Sequence, residues 1–176
     1  MSPRTGLLLG ALGALTACTT RSGPVPDLEV HGVGVVIRTD APFARHPDLA
    51  TRVETTLAAA LEFWGGEWRA LEGSTLTLDG APAVACGGGT ALGCWDGDLR
   101  ITTQDPSAGT FACVEETVLV HEVGHAVLGD PLHEDPRWMD LGALAAALAD
   151  RVGHTEDGDV PCEIHVSVWQ HLLGRP

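Results

Sequence analysis

The sequence predicts an α+β domain: a twisted, mostly parallel small sheet packed on two long helices. Three observations carry this. Strand-like runs and helix-period runs alternate along the chain, two of the helical patterns are long, and 176 residues that are 44% hydrophobic suffice for one core of their own. Leu28 to Thr39 (LEVHGVGVVIRT) is rich in β-branched residues between turn formers and is expected to be a largely buried strand. Pro47 suits the first position of a helix running to Trp64, with Leu49, Val53, Leu57, Ala60, Leu61 and Trp64 on one stripe. Gly65-Gly66 ends it. Thr75 to Leu78 alternates as a short strand. After a Gly-rich loop bracketed by cysteines (CGGGTALGC), Asp98 to Thr103 is expected to be another. A second long helix should start near Thr110 or Phe111 and run to Leu128, where Gly129 supplies the stop and Asp130-Pro131 prevents continuation. It is apolar nearly all round and so should be buried, with Glu115 and Glu116 near its positive end. Leu141 to Arg151 is expected to be helical, Gly153 to Pro161 an acidic loop and Val166 to Leu173 a terminal helix.

Charge and cysteine usage narrow the function classes. Ten basic residues, all of them Arg, stand against 24 acidic ones for a net charge of -14. With no Lys/Arg cluster there is no footprint for nucleic acid, and attraction to anionic headgroups is disfavoured. Arg4 is followed by ten residues of Gly, Ala and Leu, Gly6 to Leu15, too short to span a bilayer and shaped like the apolar region of a secretory signal. The signal ends in Leu15-Thr16-Ala17-Cys18, which resembles the bacterial lipobox at all four positions. That resemblance implies a signal peptide over 1–17, lipid on Cys18 and a tether over 18–27 that reaches roughly 30 Å. The expected location is outside the cytoplasm, anchored by lipid to a bacterial membrane on its periplasmic face or at the cell surface. Export favours disulfides among the other four cysteines, Cys86, Cys94, Cys113 and Cys162. Of the three connectivities, Cys86 with Cys94 and Cys113 with Cys162 is the expected one.

The second long helix contains His121-Glu122-Val123-Gly124-His125, an HExxH motif. The i, i+4 spacing puts both imidazoles on one face a turn apart, as two ligands of one Zn2+ require. Glu122 lies beside that face, placed to take a proton from a water activated by the metal. Burying two His and a Glu among Val, Ala and Leu without a partner would cost a few kcal/mol each, which favours a metal over a chance match. A catalytic zinc needs a third ligand. His133 is nearest, while Asp130, Asp135, Glu156 and Glu163 compete for the role. The remaining histidines, His31, His46, His154, His165 and His171, have no ligand-like neighbours at short spacing and are expected to be surface or satisfied core residues.

Over roughly Val114 to Met139, HEVGHAVLGDPLHEDPRWM resembles the metzincin consensus HExxHxxGxxH followed by a Met-turn, and its ending is similar to the matrixin branch. The resemblance implies a metzincin-like fold with a zinc-site helix, Met-turn and C-terminal helix. It implies His121, His125 and His133 as ligands, Glu122 as general base, Gly129 as the turn that returns His133 to the metal, and Met139 as the side chain beneath the zinc. In the family's pattern the Gly and the third His follow the second His by three and six residues; here the intervals are four and eight. The absence of Tyr excludes branches with a Tyr ligand, and no cysteine-switch segment fits between Cys18 and Leu28. The expected organisation is a catalytic subdomain over 28–129 and a C-terminal subdomain over 130–176. The expected function is a membrane-anchored, monomeric zinc endopeptidase acting on peptides or proteins, with substrate lying along an edge strand, for which Asp98 to Thr103 is the candidate. The alternatives are a zinc-containing binding or scaffold lipoprotein and an amidase acting on cell-wall peptides.

Overall fold

In the computed structural model the described residues are 23–103, 114–140, 169, 170, 172 and 173. They form an α+β arrangement. Strands β1 (Leu28–Val30) and β2 (Val33–Arg38) precede helices α1 (Pro42–Arg45) and α2 (Leu49–Trp64). Strands β3 (Thr75–Asp79), β4 (Val84–Cys86), β5 (Gly89–Ala91), β6 (Gly93–Trp95) and β7 (Leu99–Thr102) follow, then α3 (Val114–Leu128). The main sheet has the order β1-β2-β3-β7-β6, and β4 and β5 make a separate hairpin. β2, β3 and β7 run parallel, whereas β1 and β6 are antiparallel to their neighbours. The sheet thus has the expected parallel centre, β2-β3-β7, and is mixed because both of its edges are strands that fold back on the strand beside them.

Several expectations are corrected. The run Leu28 to Thr39 is a hairpin and not one strand: His31 (φ 47°) and Gly32 (φ 80°) both take the left-handed conformation, the pairing that a tight two-residue turn demands. Proline at a helix start belongs to Pro42 and not Pro47. His46, preceding Pro47, is held extended (φ -58°, ψ 132°), which separates α1 from α2, and α2 begins at Leu49 after Asp48. The stretch expected as a Gly-rich loop forms β4, β5 and β6. The Asp98–Thr103 candidate edge strand is β7, interior to the sheet; the edge on that side is β6.

Other expectations hold. Gly65 ends α2 in the left-handed conformation, with the Gly66 N–H returning to the Leu61 carbonyl at 2.7 Å. α2 and α3 pack on each other; α2 also contacts β1, and α3 contacts β6 and β7. The core between them holds Val35, Leu76, Leu78 and Ile101 of the sheet, Val53 and Leu57 of α2, and Val118 and Leu119 of α3, each fully buried. α3 is buried from Glu116 to Gly124, as its apolar circumference requires. Glu116, near its positive end, is itself buried and salt-bridged to Arg52 of α2. No helix among the described residues is long and apolar enough to cross a membrane. The expected helix over Leu141 to Arg151 and the acidic loop lie outside the described residues. Of the terminal helix, Trp169, Gln170, Leu172 and Leu173 are described, and the Leu173 N–H bonds the Trp169 carbonyl at helical spacing.

Candidate metal centre

α3 places His121 and His125 one turn apart with their Nε2 atoms 3.1 Å from each other. The helix ends at Gly129, whose φ of 61° only glycine adopts freely and whose N–H bonds the His125 carbonyl. From there the chain doubles back and returns His133 with its Nε2 3.1 Å from that of His121 and 3.2 Å from that of His125. The extra residues in the His125 to His133 interval thus restore the aim instead of losing it. His133 itself sits at φ 57°, a left-handed conformation uncommon for a residue with a Cβ.

The three nitrogens fit one small cation. A tetrahedral centre with Zn–N bonds of about 2.0–2.1 Å separates its nitrogens by about 3.3 Å, close to the triangle here. His125 Nδ1 lies 2.9 Å from the Asp130 carbonyl, an acceptor, so Nδ1 carries the proton and Nε2 keeps its lone pair. Burial, with the neighbouring His125 and His133, pushes His121 down to about 2, and burial lowers His125, so both rings hold the neutral form a metal needs. Among the described residues, these three form the group of side chains able to hold a metal ion. The competing ligands at Asp130 and Asp135 are otherwise engaged. The Asp130 carboxylate accepts backbone N–H groups and the Trp138 indole, and the Asp135 carboxylate grips Arg137 at 2.8 and 2.9 Å, which holds its pKa down to about 2. Glu156 and Glu163 lie outside the described residues.

Glu122 is 3% exposed and points toward β6. Burial pushes its carboxyl up to about 8, against the opposing pull of the Trp95 N–H that it accepts. This contact is possible because position 93 is glycine: a Cβ there would come within 2.6 Å of Glu122 Oε1 and 2.5 Å of Val118 Cγ1. The Thr102 N–H bonds the Leu92 carbonyl, so in this antiparallel ladder Gly93 and Trp95 turn their backbone groups outward. The edge of β6, Glu122 and the three imidazoles line one cleft of about 550 Å³, together with Pro131 and Leu172.

The residue beneath the imidazoles is not Met139. Its side chain is 51% exposed, whereas Trp138 is fully buried with its ring centroid 4.9, 5.0 and 4.7 Å from those of His121, His125 and His133. The 3-10 turn Pro136–Met139 directs Trp138 inward, and its indole N–H donates to the Asp130 carboxylate at 3.0 Å, a bond a thioether cannot make. Trp64 packs on the far side of Trp138, 4.4 Å between ring centroids, and donates its own N–H to the Val120 carbonyl of α3. Sequence reasoning missed Trp138 and Gly93, and weighed Asp130 only as a competing ligand and helix stop. A Trp directly before the methionine was the available signal for the first; Gly93 acts by leaving space and Asp130 by bonds to backbone N–H groups, neither of which leaves a motif.

Cys86 and Cys94 form the expected disulfide, S–S 2.07 Å, tying β4 to β6 beside the cleft. Cys113 and Cys162 fall outside the described residues, as does Cys18. His31 bonds Glu54 at 2.8 Å and stacks on Trp68, and His46 Nδ1 accepts the Asp48 N–H, both as expected for histidines away from a site. His154, His165 and His171 lie outside the described residues. No protein-family model, no curated protein and no solved structure matches this chain.

Proposed function

We propose that this chain is a zinc-dependent endopeptidase of metzincin type, similar to the matrixin branch, exported and anchored to a bacterial membrane by lipid on Cys18. The observation that carries the reading is the convergence of three imidazole Nε2 atoms within 3.2 Å of one another, lining the same cleft as a buried glutamate that precedes the second of those histidines on α3. A purely structural zinc would be closed off by four protein ligands. Here the three imidazoles, the ligand group among the described residues, face a cleft large enough for part of a peptide, which favours a centre that keeps a position for substrate.

When bound, Zn2+ supplies Lewis acidity toward a scissile carbonyl and toward a water molecule. His121, His125 and His133 would hold the ion. Glu122 accepts the proton of the attacking water and delivers it to the leaving nitrogen; its hydrophobic surroundings and the Trp95 N–H fix the carboxyl in one orientation for both transfers. An extended substrate lies along β6, whose Gly93 turns its N–H and carbonyl outward, so backbone pairing gives alignment without requiring a particular side chain. The interior strand β7 cannot serve this purpose.

The test is metal analysis combined with turnover of a peptide library. Wild type is expected to bind one zinc and to cleave internal peptide bonds. Glu122→Gln should keep the zinc and lose about 10²- to 10⁴-fold in kcat, the range typical of a general base. Equal cleavage by Glu122→Gln refutes the mechanism, and hydrolysis confined to cell-wall peptides would reassign the chain as an amidase. The lipid anchor has its own check. Cys18→Ser should move the protein from the membrane to the soluble fraction, and unchanged fractionation would remove the lipoprotein assignment.

A further inference from the structure

We propose that Asp130 is the positioning residue of the metal centre, the joint that delivers the third ligand and seats the floor under all three. This rests on the metal-site reading above. Asp130 follows Gly129 directly and acts through two groups. Its backbone carbonyl accepts from His125 Nδ1 at 2.9 Å and so sets which nitrogen of that ring faces the metal. Its carboxylate collects the loop. Oδ1 accepts the Leu132 N–H at 3.1 Å, Oδ2 accepts the Asp135 N–H at 2.9 Å, and the Glu134 N–H bonds the same carboxylate. These three N–H groups flank His133 on both sides, and His133 occupies a left-handed backbone conformation that costs a residue with a Cβ about 1–2 kcal/mol. The loop therefore needs an external template, and the carboxylate is one. Oδ2 also accepts the Trp138 indole N–H at 3.0 Å, which fixes the ring lying against His121, His125 and His133.

The template is itself anchored. Asp135, whose N–H reaches Asp130, uses its carboxylate to hold Arg137 in a two-pronged contact, and Arg137 donates to the Trp64 carbonyl at the end of α2 at 2.6 Å. The loop carrying His133 is thereby referenced to both long helices. A longer interval between the second and third histidines needs such a device, because each added residue multiplies the conformations in which the third imidazole misses the ion.

The experiment measures Zn2+ affinity by chelator competition, and the visible absorption of the Co2+-substituted full chain, in wild type, His133→Ala, Asp130→Ala and Asp130→Asn. Wild type should bind one ion tightly and His133→Ala weakly, with the altered Co2+ spectrum of a centre that has lost a ligand. Asp130→Ala should lower Zn2+ affinity about 10- to 100-fold, the range for outer-shell partners, and shift the Co2+ spectrum toward that of His133→Ala. Asp130→Asn keeps one accepting oxygen and should fall between the two. It also serves as the readout if the alanine variant fails to fold. A protein that merely lost stability would bind fewer ions with an unchanged spectrum per bound ion, and that result would overturn the positioning role. So would wild-type affinity and spectrum in Asp130→Asn and Asp130→Ala while His133→Ala is impaired, with the metal site left standing. Failure of wild type to bind stoichiometric metal would overturn the metal-site reading and this inference with it.

Discussion

At the scale of single residues, the absence of a side chain at position 93 matters as much as the motif. Glu122 fits under β6 because Gly93 leaves its space free, and a methyl group there would overlap both Oε1 and the neighbouring Cγ, the latter at 2.8 Å. Val118 Cγ1 would lie closer still, at 2.5 Å, so relief requires Val118 to rotate or β6 to lift. Either way the carboxyl of Glu122, 2.6 Å from the added methyl, must yield as well. Gly93→Ala is therefore expected to leave zinc stoichiometry intact and to reduce kcat by about 10²-fold, the scale of loss when a catalytic group is displaced by about 1 Å. Parallel metal analysis and steady-state kinetics on the purified variant check this, and an unaffected kcat would show that Glu122 tolerates a second position.

At the scale of elements, α3 was the most legible part of the chain. Its stop at Gly129, its burial and the i, i+4 histidines follow from spacing and hydrophobicity, and these are properties one sequence carries locally; its expected start near Thr110 or Phe111 lies outside the described residues. His133 was legible as a ligand candidate, although its interval departs from the family pattern. What spacing could not supply was the loop's path, because that depends on bonds from Asp130 to backbone groups and on a Trp in place of a Met. The β1-to-α2 region was misread for a similar reason: His31-Gly32 and Pro47 act by setting backbone angles, and those change strand and helix boundaries without altering hydrophobic pattern. Helix packing also rests on a glycine. A Cβ at Gly124 would meet Trp138 Cη2 at 2.5 Å and Trp64 Cε2 at 2.8 Å, and both rings are fixed by their indole N–H bonds. Alanine is the better helix former by up to about 1 kcal/mol, yet overpacking a rigid core costs about 1–3 kcal/mol, so the clash wins. Gly124→Ala should lower unfolding stability in urea by about 1–2 kcal/mol. A stabilised variant would mean that the two indoles can shift.

At the scale of the whole molecule, the site is a store of unfavourable protonation states that only a metal relieves, and this sets the pH dependence of the metal-free protein. Glu122 is raised from 4.5 to about 8, so the folded state holds a proton that the unfolded chain releases. The stability it contributes is fully present below pH 4.5 and is lost as pH climbs through 8. His121 is lowered from 6.5 to about 2 and His125 is lowered as well. Their contribution is present above pH 6.5 and is lost as pH falls, because the unfolded chain then takes up protons the buried rings refuse. Below 6.5 the two histidines outweigh the single glutamate, and Asp135, lowered to about 2 by Arg137, adds to the acid loss below pH 3.8. Above 6.5 the glutamate acts alone. Metal-free protein should accordingly be most stable near pH 6.5 and lose roughly 2 kcal/mol between there and pH 8, at about 1.4 kcal/mol per unit for one proton. Zinc inverts the alkaline limb, since the ion favours neutral imidazoles and an ionised Glu122. Urea unfolding across pH 4 to 9, with and without zinc, measures both limbs. Glu122→Gln should flatten the alkaline decline of the metal-free protein, and persistence of that decline in the variant would show that another group, not the buried carboxyl under β6, takes up the proton.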